Sequence, residues 1–355
     1  MFEDLQRELR KLSQQPLTLN LSLPEDEDGY IDRECPGEQC EGAFKVSSTD
    51  LQRLWTSSVA FCAFCRNEAP PQKSWFTKAQ AAYVEQLALQ QLDRRLSSAM
   101  VRDAARQNAR ERSRPKNKFI DIGITMQVKC APGQVLIPPN ASKILEQRFA
   151  CEQCGFRWAS LGASFFCHAC GHNCVLTTFD MTMATVRETI AALPAICDLL
   201  STSLGADTAE NTARQLREDQ FSRIVGAFEC LSQALFNSLP NTDLHAHPGN
   251  VFQRVEDSST LWCAATGSGF DSFLSPRQLV ALKVGFQKRH VLGHNQGIVD
   301  QRNIDKSGDK TYQVGQRLVV KNEDVLDFVD LVETLTAGLR TLRPKKNESS
   351  GDSRH

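Results

Sequence analysis

Eight cysteines are the residues of this chain whose types and spacing speak most directly of chemistry. They fall into two groups of four, Cys35-x4-Cys40 with Cys62-x2-Cys65, and Cys151-x2-Cys154 with Cys167-x2-Cys170. Close cysteine pairs one or two dozen residues apart are what a tetrahedral zinc ion needs, because each pair supplies two thiolates from one turn. A disulfide framework is the competing reading. It is disfavoured by an N-terminus, MFEDLQRELRKL, that has no apolar secretory core, and by five cysteines left over: Cys130, Cys174, Cys197, Cys230 and Cys263. Those five sit mostly in apolar runs and read as buried thiols. Four thiolates fill the shell, so His168 and His172 are left out of it. A closed shell has no position for water, which makes both zinc ions structural rather than catalytic.

The two segments, YIDRECPGEQCEGAFKV and LEQRFACEQCGFRWASL, both read strand, knuckle, strand, and they resemble zinc ribbons. Gly37, Gly42, Gly155 and Gly171 stand where the knuckles are expected to turn tightly.

The elements that must position these groups give a mixed α+β, multidomain chain: two small β modules, a long linking helix and an all-α bundle. The expected divisions are an N-terminal segment (1–29), a first zinc module (30–75), a long helix with a basic end (76–118), and a β segment carrying the second module (119–178). A helical bundle (179–343) and a disordered polar tail (344–355) follow. Thr77 with Gln80 reads as a capping box for the long helix, with Tyr83, Leu87, Leu92 and Leu96 as its apolar stripe. From Arg102 to Lys118 there are seven Lys/Arg against two acids. This is either a phosphate-contacting edge or a solvated helix end whose cations suit the dipole.

In the C-terminal half, helical periodicity runs from about residue 182 through Pro194, and again from Phe221 to Phe236. Two more helices follow, one starting at Ser275–Pro276 with Leu279, Leu282 and Phe286, and one striped by Val325, Phe328, Val329, Val332, Leu335 and Leu339. Residues 240–273 read as a connection and 297–320 as a loop with a hairpin. Four such stripes bury only against one another, which makes a four-helix bundle. His245-x-His247 reads as a polar loop, and Gly267-x-Gly269 lacks the strand and helix of a nucleotide fingerprint. The chain's formal net charge is -1 and it has no run of 18 apolar residues. Any nucleic-acid partner must therefore meet a local patch, and a soluble, cytoplasmic protein with no membrane association is expected.

The third helix of the bundle ends Phe286-Gln287-Lys288-Arg289-His290-Val291-Leu292-Gly293-His294. Arg289 and His290, three and four residues past Phe286, are expected near the apolar face. A guanidinium grips phosphate oxygens and an imidazole moves protons near neutral pH. Pairing with Glu229 or Asp300 is the structural alternative. Arg289-x4-His294, with polar His290 after the arginine and Gly297 to Asp300 following, resembles the signature of HEPN domains over about residues 180–342. The resemblance implies a metal-independent endoribonuclease that works as a homodimer on RNA. His294 would be its acid/base, Arg289 its phosphate ligand and His290 its orienting group. The zinc modules would then be the recognition half, toward RNA or a protein partner, in a toxin or antiphage-type effector. Alternatively the whole chain is a non-enzymatic adaptor whose bundle only dimerises.

Overall fold

The computed structural model describes residues 2–19, 21–54, 57–71, 75–115, 123–129, 136–141, 147–240 and 249–343. His245, His247, Cys130, the basic residues 116 and 118 and the tail lie outside them. The chain divides into two compact units, residues 1–173 and 174–355.

In the first unit, strands β1 (Tyr30–Glu34) and β2 (Ala43–Ser47) flank the first knuckle. A one-turn helix, α2 (Ser48–Leu51), and a two-stranded ladder, β3 (Ala60–Phe61) with β4 (Glu68–Ala69), follow it. Strands β5 (Gln147–Ala150) and β6 (Arg157–Ser160) flank the third knuckle. The expectation of two separate ribbons needs correction. All four long strands form one antiparallel sheet in the order β1-β2-β6-β5. Each hairpin alone would expose one edge of an apolar strand, and pairing β2 to β6 removes both edges at once. Val46, Trp158 and Phe156 are completely buried in consequence.

Helix α1 (Glu3–Gln14) lies on helix α3 (Lys78–Arg112), which begins with the expected capping box of Thr77 and Gln80. The stripe Tyr83, Leu87, Leu92 and Leu96 is only half-buried. Full burial on α3 falls at Gln80, Ala99, Asp103 and Ala104. Asp103 accepts the backbone N–H groups of Asp4 and Leu5 at 3.1 and 2.9 Å, satisfying orphan donors at the start of α1. Residues 123–129 carry no regular strand, contrary to expectation. Their place is set by Asn108, whose side-chain amide bonds both the N–H and the C=O of Met126.

The second unit is helical. Helix α4 (Val175–Leu204) starts earlier than its apolar periodicity suggests and passes through exposed Pro194 without ending. It turns back at Gly205 (φ 92°) into α5 (Ala206–Asn237). These two pack with α7 (Pro276–His294) and α9 (Asn322–Thr341) as the expected four-helix core. Two expectations fail. The supposed connection contains helix α6 (Val255–Thr266), whose Trp262 is completely buried with Nε1–H donating to Ser232. The supposed hairpin contains helix α8 (Gln301–Ser307), capped by Asp300, and only one isolated bridge, Ile298 to Arg317. Gly285 has no Cβ because the ring of Phe328 lies against it, which lets α7 and α9 approach closely. Phe221 stacks on Phe328 at 5.1 Å, while Phe286 meets both Phe228 and Phe328 edge-on. No helix among the described residues is long and apolar enough to cross a membrane.

Candidate metal centres

The sheet brings each set of four cysteines together. Cys35, Cys40, Cys62 and Cys65 form one cluster and Cys151, Cys154, Cys167 and Cys170 the other, with all sulfurs of a cluster within 4.8 Å of one another. The resolved Sγ···Sγ separations are 3.7 Å (Cys35–Cys65), 3.8 Å (Cys40–Cys62), 3.7 Å (Cys151–Cys170) and 3.6 Å (Cys154–Cys167). A disulfide would need about 2 Å. Four sulfurs at about 2.3 Å from a central ion stand about 3.8 Å apart in a tetrahedron. Each cluster therefore has the donor set and the spacing to hold one metal ion.

All four knuckles are built alike. The first cysteine donates its N–H at 2.9 Å to a carbonyl beyond the turn: Cys35 to Gly42, Cys62 to Asn67, Cys151 to Phe156 and Cys167 to His172. The residue after the last cysteine is left-handed every time: Glu41 (φ 43°), Arg66 (φ 62°), Gly155 (φ 70°) and Gly171 (φ 66°). Two of the four glycines therefore turn as anticipated and two do not. Gly37 is not left-handed, and Gly42 is required for space, since a Cβ there would meet the Phe64 ring at 2.5 Å.

The two centres are related by an approximate two-fold axis between Lys45 and Ala159, which face each other across β2 and β6. Phe44 faces Ser160 while Val46 faces Trp158. Aligning the cysteines makes Phe44 the counterpart of Trp158 and Val46 that of Ser160, so the pairs exchange under the rotation. The second knuckles repeat the pattern: Phe61 N–H donates to the His168 carbonyl at 2.9 Å, and Phe166 N–H to the Ala63 carbonyl at 3.0 Å. The Phe61–Glu68 rung corresponds to the bridge between Phe166 and Asn173.

Burial holds four of the eight thiols in the protonated form. It pushes Cys35 and Cys170 up to about 11, and Cys62 and Cys167 higher still. At Cys65 and Cys151 burial acts upward too, but hydrogen bonds outweigh it, led by the backbone N–H of Asn67 and of Cys154 respectively, and both fall below the ordinary thiol value. Metal binding must then expel protons, so affinity falls as the pH is lowered.

Both histidines lie outside the shells. His168 is buried and its Nδ1–H donates to the Phe61 carbonyl at 2.6 Å; burial draws it down to about 4, so it is neutral. His172 stands 3.8 Å from Glu152. Of the leftover cysteines, Cys174 is buried, but Cys230 and Cys263 are exposed, against expectation.

The basic end of α3 is not an open phosphate edge along its whole length. Arg106 is ion-paired with Asp4 and, at 2.7 Å, with Asp103; Arg102 lies 3.7 Å from Asp4 and Arg114 3.1 Å from Glu111. Helix α1 had no long-range signal in the sequence that would have announced these pairs.

In the second unit, Arg289 is half-buried while His290 and His294 are exposed, not set against the apolar core. The fully buried part of the α7 core stripe ends at Phe286, with partly buried Leu292 touching the core beyond it, and the next buried residue, Val291, belongs to a separate small cluster with Val299 and Leu318. The imidazoles of His290 and His294 stand 4.8 Å apart. Neither proposed acid pairs with them: Glu229 accepts from Gln253, and Asp300 accepts from Asn295 and caps α8. The positive groups near His290 include two that sequence reasoning missed, Arg302 and Lys306 on α8. Burial first, then the charges of His294, Arg302, Lys306 and Arg289, hold His290 below the ordinary imidazole value. Only the folding of α8 against α7 brings them there. No protein-family model, no curated protein and no solved structure matches this chain.

Proposed function

We propose that the chain is a zinc-scaffolded RNA-binding protein whose helical unit carries a metal-independent endoribonuclease centre of the HEPN kind. Zinc is the ion that closed tetrahedral four-thiolate shells favour, and both sites would be structural. The observation that supports the RNA reading is the basic group at the end of α7, where Arg289, His290 and His294 share a surface with Arg302 and Lys306. Such a surface attracts phosphates, and a neutral His290 can accept a hydrogen bond beside them. Arg289 would hold the scissile phosphate and His294 would transfer the proton. The substrate's 2'-oxygen would attack phosphorus and the 5'-oxygen would leave, giving a 2',3'-cyclic phosphate and a 5'-hydroxyl. A second copy of the chain would close the cleft through a self-complementary interface.

The test is cleavage of RNA by zinc-loaded protein without magnesium, comparing the wild type with His294→Ala and Arg289→Ala. Each variant is expected to lose about 10²–10⁴-fold in rate with its metal content unchanged. An inactive wild type that is dimeric and zinc-loaded, or active variants, overturns the assignment. The non-enzymatic adaptor is the second reading, favoured by the exposure of His290 and His294 on an open face of the single chain. RNA binding or dimerisation without cleavage would establish it.

A further inference from the structure

A cavity of about 510 Å³ opens beside the first metal centre, walled by Phe44, Phe64, Thr77, Ser160 and Leu161, with Arg33 in its lining. Arg33 is 93% buried, since only 7% of its surface is exposed. A buried guanidinium is costly unless paired, yet among the described residues Arg33 forms no ion pair. Its Nη1 donates to the carbonyl of neighbouring Asp32 at 3.3 Å, and its Cζ stands 5.9 Å from the Phe76 ring. The acid and base that also border the cavity answer each other: Lys45 Nζ lies 3.7 Å from Asp32 and 2.6 Å from Asp26. The charge of Asp32, next to it on β1, also acts on the Arg33 guanidinium, but that carboxylate makes its ion pair with Lys45 and not with Arg33.

The two-fold relation supplies an internal control. The counterpart of Arg33, two residues before the first cysteine of the other centre, is Phe149. It pairs with Trp158 across β5 and β6 as Arg33 pairs with Phe44 across β1 and β2. Phe149 stacks on Trp158 at 5.3 Å and is buried. The framework thus accepts an apolar ring at this position, and the cation at Arg33 is not required to build it.

We propose that this cavity is a binding site for a small organic carboxylate with an apolar body, its carboxylate held by the Arg33 guanidinium. The edge of the guanidinium not used on Asp32 matches a carboxylate in a two-point grip. The walls of Phe44, Phe64 and Leu161 suit a flat or branched apolar group, and the volume is that of a small-ligand site. The site is independent of the ribonuclease reading.

The experiment titrates the full, zinc-loaded chain with 1-naphthoate and 4-methylpentanoate, and with the matching amides, by calorimetry and by the Arg33 Nε–H resonance. Each acid is expected to bind at least tenfold more tightly than its amide and to move that resonance. Arg33→Gln should abolish the preference for acid. Leu161→Trp, at a residue 69% exposed at the cavity wall, should weaken both acids at least tenfold without changing metal content. If Arg33→Gln fails to fold, Leu161→Trp and the resonance decide. Equal binding of acid and amide, no binding of either acid at millimolar concentration, or binding indifferent to Leu161→Trp overturns the proposal.

Discussion

The two halves of the N-terminal unit hold the same four-cysteine geometry with different side chains around it. In the first half the residues after the knuckles are Glu41 and Arg66; in the second they are Gly155 and Gly171. The first half places Gly42 against the large Phe64, whereas their counterparts in the second are Phe156, completely buried, and small Ala169. His168 bonds the Phe61 carbonyl, and its counterpart, Ala63, has no side chain able to return the bond. Arg33 stands where the other half has Phe149. The difference teaches that sulfur geometry and backbone turns are what the fold repeats, and that the packing around them is free to change provided volume is kept. The second half follows the rules of a stable core closely, while the first carries a buried cation and strained turns.

The largest effect expected from breaking this comparison comes from the metal. Structural zinc contributes roughly 10–16 kcal/mol of apparent binding energy to folding in small zinc domains. Chelation, or Cys154→Ser, should abolish the melting transition of the first unit and leave that of the helical unit, which calorimetry can separate. Because β2 pairs with β6, losing either centre should also weaken metal retention at the other, measurable as metal per chain in Cys62→Ser and Cys167→Ser.

Next in size is the Arg33–Phe149 contrast. Phe149→Ala should cost about 3–5 kcal/mol, as for other buried aromatic truncations. Arg33→Phe should leave stability unchanged or raise it, because a buried, unpaired cation gives way to a ring. Denaturant titration of zinc-loaded protein checks both, and a large loss on Arg33→Phe would show that the two positions are not equivalent.

His168→Ala should cost about 1–3 kcal/mol through the Phe61 carbonyl left without its side-chain donor. The smallest effects are at the turns. Glu41→Gly should stabilise by roughly 0.5–1 kcal/mol, since only glycine adopts φ near 43° without steric cost, and Gly155→Ala should cost a similar amount. Gly171→Ala should cost more than Gly155→Ala, because its Cβ would also meet the Phe61 ring at 2.7 Å.

The cysteine spacing alone determined the two four-cysteine clusters that could hold metal, because a knuckle is local: a few residues of chain carry both thiols and the turn between them. Periodicity likewise determined the four long core helices, and the Thr/Ser-x2-Gln spacing determined the capping boxes of Thr77 with Gln80 and of Ser275 with Gln278, because these signals are local. What only the tertiary structure decided are the long-range pairings. No local pattern says that β2 will meet β6, that α1 will neutralise Arg106, or that α8 will bring Arg302 and Lys306 to His290. The same limit hid α6, a short helix set in a stretch rich in turn-forming residues, whose Trp262 is buried against the core. It also misplaced His290 and His294, since helical spacing from Phe286 cannot tell where the core that a helix packs against comes to an end.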